Sequence, residues 1–165
     1  MGISDLNVKY GAVVVAAGLS SRMGDFKPLM PLGNETVISR VVRVIQEAGA
    51  EDIVIVTGRN SELIEEHLKD RNVRFIKNDR YADTQMFDSV LIGLNALDKR
   101  CGRALITPAD VPLVKVETIK LLMLKAGEFV RPVYKETTGH PVIIDTALIP
   151  TLSDDCGEGG LQCAV

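Results

Sequence analysis

An α/β fold of three layers, with a doubly wound, mostly parallel sheet between two sets of helices, is what this sequence predicts. Three observations predict it. Short apolar runs recur along the chain at 11–16, 52–57, 73–76 and 103–107. Segments with helical apolar spacing lie between them. The first run, Gly-Ala-Val-Val-Val-Ala, shows no polar alternation, as expected of a strand buried on both faces of a parallel sheet. Alternating strands and helices, joined by right-handed crossovers, wind such a sheet in two directions from its centre.

Taken in order, residues 11–16 predict the central strand. Residues 17–33 carry three glycines, two prolines and two serines, too broken for helix or strand and long for a connection, a length usually kept for function. From Thr36, the apolar residues Val37, Ile38, Val41, Val42, Ile45 and Ala48 recur at helical spacing, and Gly49 is the stop. Strand 52–57, a polar turn and an acidic helix 61–69 follow, then strand 73–76 and helix 85–97. Strand 103–107 runs into Pro108, Ala109, Asp110, Val111 and Pro112. Helix 116–126, strand 129–134, a Thr-Thr-Gly turn and a short strand 141–144 complete the pattern. With no repeat, low-complexity tract or linker, residues 1–165 read as a single domain.

Composition narrows the ligand. Hydrophobic residues make up 46% and charged residues 25%, an ordinary globular balance that argues against disorder and membrane residence. A net charge of -3 gives no long-range pull on nucleic acid or anionic lipid, so small phosphorylated ligands met by a local basic pocket are expected. Cys101, Cys156 and Cys163 have no paired short spacing, which predicts a reduced, cytoplasmic protein without a zinc site. No run approaches the ~20 apolar residues of a membrane span, and the first ten residues lack a signal-peptide core. The oligomeric state is not legible.

In open α/β sheets ligands bind beyond the carboxyl ends of the strands, which selects the loops after Ala16, Thr57, Ile76 and Thr107. In the first of these, Gly18 and Gly24 permit close backbone approach beside Ala17, Ser20 and Ser21 add hydroxyl donors, and Arg22 and Lys27 bring two cations. That combination suits a triphosphate. It is neither a Walker loop, since Lys27 does not directly follow Gly24, nor a dinucleotide fingerprint, since no glycine lies two places after Gly18. An ordinary solvated surface loop is the alternative. Asp110, at a strand's carboxyl end, is placed to bind Mg²⁺ bridging substrate phosphates, or is simply a turn aspartate between prolines. Residues 78–86, opening with Asn78, are polar and either hold a base or acceptor or cap a helix. Thr57 and Gly58 are base contacts or a plain turn; Gly139 and His140 form a hairpin-like turn whose lone histidine is more often structural. Glu158 lies among glycines, close to ligand or in a frayed tail.

These residues resemble the molybdenum cofactor cytidylyltransferases and their relatives among the nucleotidyltransferases of Rossmann-like fold. The likeness runs over nearly the whole chain and is most specific where Ala16, Ala17, Gly18, Ser20, Arg22, Met23, Gly24 and Lys27 match the family's Ala-Ala-Gly-x-Ser-x-Arg-Met-Gly and following Lys. It implies triphosphate contacts for Gly18, Arg22 and Lys27, a base-side role near Thr57 and Gly58, a metal at Asp110, and acceptor-side roles near Gly139 and His140. The double alanine before Gly18 is similar to the cytidylyl branch and favours CTP over GTP. The tail departs: the family's Gly-Asp-x-Gly-Ala-Arg stands here as Gly157, Glu158, Gly159, Gly160, Leu161 and Gln162. Acceptor identity and a second metal contact are therefore not carried over from the family pattern. The chain stops at Val165 where relatives continue, which predicts truncation at its C-terminus.

The expected reaction is transfer of CMP from CTP to a phosphorylated acceptor such as molybdopterin cofactor, with Mg²⁺ and release of pyrophosphate. Transfer to a sugar phosphate or isoprenoid precursor, and a nucleotide-binding module that has lost catalysis, stand as alternatives. A nicotinamide oxidoreductase shares the sheet but lacks the glycines.

Overall fold

The computed structural model describes residues 8–18 and 26–155. In chain order they form β1 (Lys9–Ala16), β2 (Pro31–Leu32), β3 (Glu35–Thr36), α1 (Val37–Ala48), β4 (Asp52–Thr57), α2 (Ser61–His67), β5 (Arg74–Lys77), α3 (Met86–Ala96), β6 (Cys101–Pro108), α4 (Val116–Met123), β7 (Phe129–Val130), β8 (Val133–Tyr134), β9 (Thr137–Thr138), β10 (Val142–Asp145) and α5 (Ile149–Asp155). The main sheet has six strands in the order β5-β4-β1-β6-β10-β7. β1 pairs in parallel with β4 and β6, and β4 with β5; β10 runs antiparallel to β6 and β7. The sheet is therefore mostly parallel and wound in both directions from β1.

The apolar run of β1 is buried on both faces because successive side chains point to opposite sides. Ala12, Val14 and Ala16 join a core under α1, α2 and α4, while Val13, Val15 and Ala17 join one under α3 and α5. Helix α1 buries Ile38, Val41, Val42, Ile45 and Ala48 on one stripe, each Val or Ile contributing about 1.5–3 kcal/mol against exposure. The Thr36 side chain accepts from Ser39 N–H at its start, and Gly49 ends it at φ 106°. Helix α3 lies close on the sheet at Gly93, where an added Cβ would stand 2.3 Å from Val13 Cγ1.

Local boundaries differ from expectation where a proline or a left-handed pair intervenes. The run 129–134 is two strands: Pro132 lacks the N–H a continuous ladder needs, so β7 joins the main sheet and β8 leaves it for a separate hairpin with β9. The Thr-Thr-Gly segment is correspondingly not the turn. Thr137 and Thr138 form the returning strand, and the turn is Lys135–Glu136, with φ 45° and 66°. Inside the loop expected over 17–33, Lys27–Leu29 makes a 3-10 turn and Pro31–Leu32 pairs with β3. Helix α5 has no counterpart in the sequence reading.

Candidate functional site

After β1 the chain builds outward through β4 and β5, then crosses back to place β6 on the other side of β1. The crevice beyond the carboxyl ends of β1 and β6 is where loops diverge in such a sheet. A cleft of about 360 Å³ opens there, lined by Ala17, Gly18, Lys27, Tyr81, Ser89 and Asp110 among others.

Each wall has a local cause. Ala109 N–H donates to the Val15 carbonyl at 2.9 Å, extending the β1–β6 pairing one step, and Ala109 is buried. Asp110, the next residue, is exposed at the cleft. Opposite, buried Pro28 sits in the 3-10 turn, and Phe26 and Leu29 pack on the α1 side of the core. The turn closes through Leu29 N–H to Phe26 O at 3.0 Å and Met30 N–H to Lys27 O at 3.1 Å. Lys27 is thus exposed on a well-anchored backbone. Among the described residues, no hydrogen bond or ion pair engages the side chain of Lys27 or Asp110. Among the described residues, a Cβ at Gly18 would meet nothing within 4 Å.

The third wall is the β5–α3 connection. Gln85 and Asp88 close the start of α3 reciprocally: Asp88 N–H donates to the Gln85 carbonyl at 3.1 Å, and Asp88 Oδ2 accepts from Gln85 N–H at 2.7 Å. Tyr81 leans on Gly58, where an added Cβ would lie 2.8 Å from Tyr81 Cβ and 3.0 Å from the Ala17 carbonyl.

The structure brings Ala17, Gly18, Lys27 and Asp110 around one cleft. Thr57, Gly58 and Asn78 stand outside that lining. Thr57 is fully buried and donates to Ile76 O at 3.4 Å; Gly58 backs Tyr81; Asn78 is buried with both ends of its amide hydrogen-bonded inside the protein. Gly139 donates its N–H to Pro132 O at 2.9 Å beneath the β8–β9 hairpin. His140 is exposed, yet neighbouring atoms displace enough water to push its imidazole below the usual range, and the Asp110 carboxylate opposes that shift. The two residues therefore share one end of the molecule. Ser20, Ser21, Arg22 and Glu158 lie outside the described residues.

Sequence reasoning named residues 78–86 as one segment without singling out Tyr81, Thr84, Gln85 or Met86, and gave no role to Phe26 or Ser89, all of which line the cleft. The polar character of 78–86 is plain in the sequence, but nothing there separates its members. Ser89 has a readable signal: it follows Gln85 by four residues, one helical turn along the same face of α3.

A larger recess of about 930 Å³ opens at the opposite end of the sheet, beside Val8, Cys101, Arg103, Glu128 and Asp145. Arg103 there is spent on protein, donating to Lys125 O at 2.9 Å and Gly127 O at 2.8 Å. The smaller cleft is the candidate site: it gathers Lys27 and Asp110 at the strand ends, neither of them hydrogen-bonded or ion-paired through its side chain among the described residues.

Fold and cleft together define a nucleotidyltransferase-type α/β domain. Residues 12–165 match the MobA-like NTP transferase domain, and the chain belongs to that family. It is 34% identical over 113 residues to the bifunctional protein GlmU of Francisella tularensis subsp. novicida, a match covering 67% of this chain and 24% of that protein. The chain thus aligns with about a quarter of the length of the curated relatives it matches. Among solved structures, a nucleotidyl transferase from Methanothermobacter superposes with a TM-score of 0.78 at 27% identity, covering 93% of this chain and 79% of that one. Rv0371c from Mycobacterium tuberculosis gives 0.81 at 22% identity, covering 93% and 80%, a likeness of fold.

Proposed function

We propose that this chain is a divalent-metal-dependent nucleotidyltransferase that moves CMP from CTP onto the phosphate of a small acceptor such as molybdopterin cofactor. The observation that carries the reading is the pairing of Lys27 and Asp110 across one cleft at the β1/β6 crevice, neither engaged by protein among the described residues. Family membership and the cytidylyl-type Ala16-Ala17-Gly18 sequence support it.

Gly18, with Ala17, Ser20 and Ser21, offers backbone and hydroxyl donors to the triphosphate, and Arg22 and Lys27 offset its charge. Asp110 suits Mg²⁺, which takes one or two protein carboxylates and otherwise binds water and phosphate. When bound, the ion supplies charge stabilisation and alignment of the phosphates. The acceptor phosphate oxygen attacks the α-phosphorus; the new P–O bond forms as the bond to the β-phosphate oxygen breaks, and pyrophosphate leaves. A phosphate monoester with its second pKa near ~6 is already anionic at neutral pH, so no general base is needed. Gly139 and His140 lie on the acceptor side, and the electrostatic reach of Asp110 to His140 supports that placement. Thr57, Gly58 and Asn78 support the base side from behind the cleft lining, and Glu158 serves the acceptor.

The test is pyrophosphate release across the four triphosphates with a molybdopterin-type acceptor and with sugar-phosphate and isoprenoid-phosphate acceptors. Release is expected to be fastest with CTP and the molybdopterin acceptor. No release from any pair, with Mg²⁺ or Mn²⁺ present, overturns the reading.

A further inference from the structure

Asn78 touches no open surface of the cleft, yet the hydrogen bonds around it decide what the cleft offers a ligand. Its orientation is unambiguous: Arg80 N–H donates to Asn78 Oδ1 at 3.0 Å, and a backbone N–H has only a donor, so Nδ2 must face the other way. Both Nδ2 hydrogens are used, one toward Thr84 Oγ1 at 2.9 Å and one toward Ser89 Oγ at 3.0 Å. Thr84 passes its own hydrogen to Arg80 O at 2.9 Å and is saturated locally. Ser89 is not. Its oxygen accepts from Asn78, its residue is 2% exposed, and no acceptor takes its O–H among the described residues, while the residue lines the cleft.

We infer that Asn78 is a positioning residue: by donating to Ser89 it holds that hydroxyl as a donor toward the cleft, and by binding Thr84 and Arg80 it holds the 80–85 wall in place. The ligand face so prepared takes a hydrogen-bond acceptor, a ring carbonyl or ring nitrogen of the nucleoside. Asn78 thereby acts through Ser89 without contacting the ligand. This inference rests on the nucleotide reading of the cleft.

Asn78→Asp keeps the shape but replaces the donating NH₂ by an acceptor, so Ser89 turns its hydrogen toward residue 78 and away from the ligand. The expected result in Mg²⁺ and CTP is a rise in nucleotide Kd and KM on the order of tenfold, the loss of about one hydrogen bond, with kcat within about twofold. Ser89→Ala should raise KM similarly, and reads the same link should Asn78→Asp not fold. In the double variant the effects should not add, since both remove one donor. A merely structural role would lower the melting temperature and the active fraction without this KM shift, and the effects would add. Unchanged CTP binding in Ser89→Ala, or additive losses in the double variant, overturns the inference alone. Failure of the wild-type chain to bind any of the four triphosphates overturns the proposed function, and this inference with it.

Discussion

The two ends of the sheet hold charged groups in opposite states. At the amino ends of the strands four basic side chains are spent on protein groups. Lys9 pairs with Glu51 at 2.6 Å, Arg74 with Asp52 at 2.6 Å, Arg100 with Asp98, and Arg103 ties down the carbonyls that follow α4. Cys101, buried among them, has its thiol pushed up by burial first and by Asp52 and Asp98 next, which makes it a poor nucleophile. At the carboxyl ends Lys27 and Asp110 stand without protein partners among the described residues, on backbone that is firmly anchored. Satisfied charges hold a fold; charges held in place but unsatisfied are available to a ligand.

The sharpest way to break this contrast is Asp110→Ala. Pyrophosphate release should fall about a thousandfold while the melting temperature hardly moves, because the exposed carboxylate makes no hydrogen bond or ion pair among the described residues. Full activity in the variant would remove the metal assignment. Lys27→Ala should cost about a hundredfold in turnover with equally little change in stability; an unaltered rate would take this cation out of the site.

Below those stand changes that should move stability instead. Gly93→Ala forces a methyl into Val13 and is expected to destabilise by about 3 kcal/mol, read by urea unfolding. Arg103→Ala strips donors from the Lys125 and Gly127 carbonyls and should cost about 1 kcal/mol with kcat unchanged. A comparable loss of activity in Arg103→Ala would show that the two ends are not independent.

The smallest effect is one of pH. Burial is the largest single influence on Asp52 and raises its pKa, but the hydrogen bonds from Arg74 and the Asp98 N–H together outweigh it, leaving the carboxyl below its usual range. A lowered folded-state pKa contributes stability above the unfolded carboxylate value that is lost as pH falls through the folded one. Between neutral pH and about pH 3, wild type should therefore lose more stability than Asp52→Asn, measured by urea midpoints. Parallel losses would mean that the Arg74–Asp52 pair is only a screened surface contact.

Much of this is legible in one dimension. β1, β4 and α1 lie close to where apolar periodicity puts them, because two-sided burial and a single helical stripe leave distinct patterns, the first in the run from Ala12 to Ala16 and the second in Ile38 through Ala48. Lys27 and Asp110 are visible as charges near strand ends. Less visible is the split at Pro132, since whether a proline interrupts a strand or sits on its edge depends on the neighbouring strand. The left-handed Lys135–Glu136 turn lacks the usual glycine or asparagine and leaves no local signal.

What the sequence by itself determined is the alternation of the main strands and helices from β1 to α4 and the family, both carried by local patterns of side chains. What only the tertiary structure decided is who faces whom. Asn78, polar and close to a predicted strand end, reads in one dimension as a ligand contact, but folding surrounds its amide with Arg80, Thr84 and Ser89. Ser89 reads as one more helical serine, but the same packing turns it to the cleft. Hydrogen-bond direction depends on every partner within about 3 Å, and those partners come from separate turns of the chain.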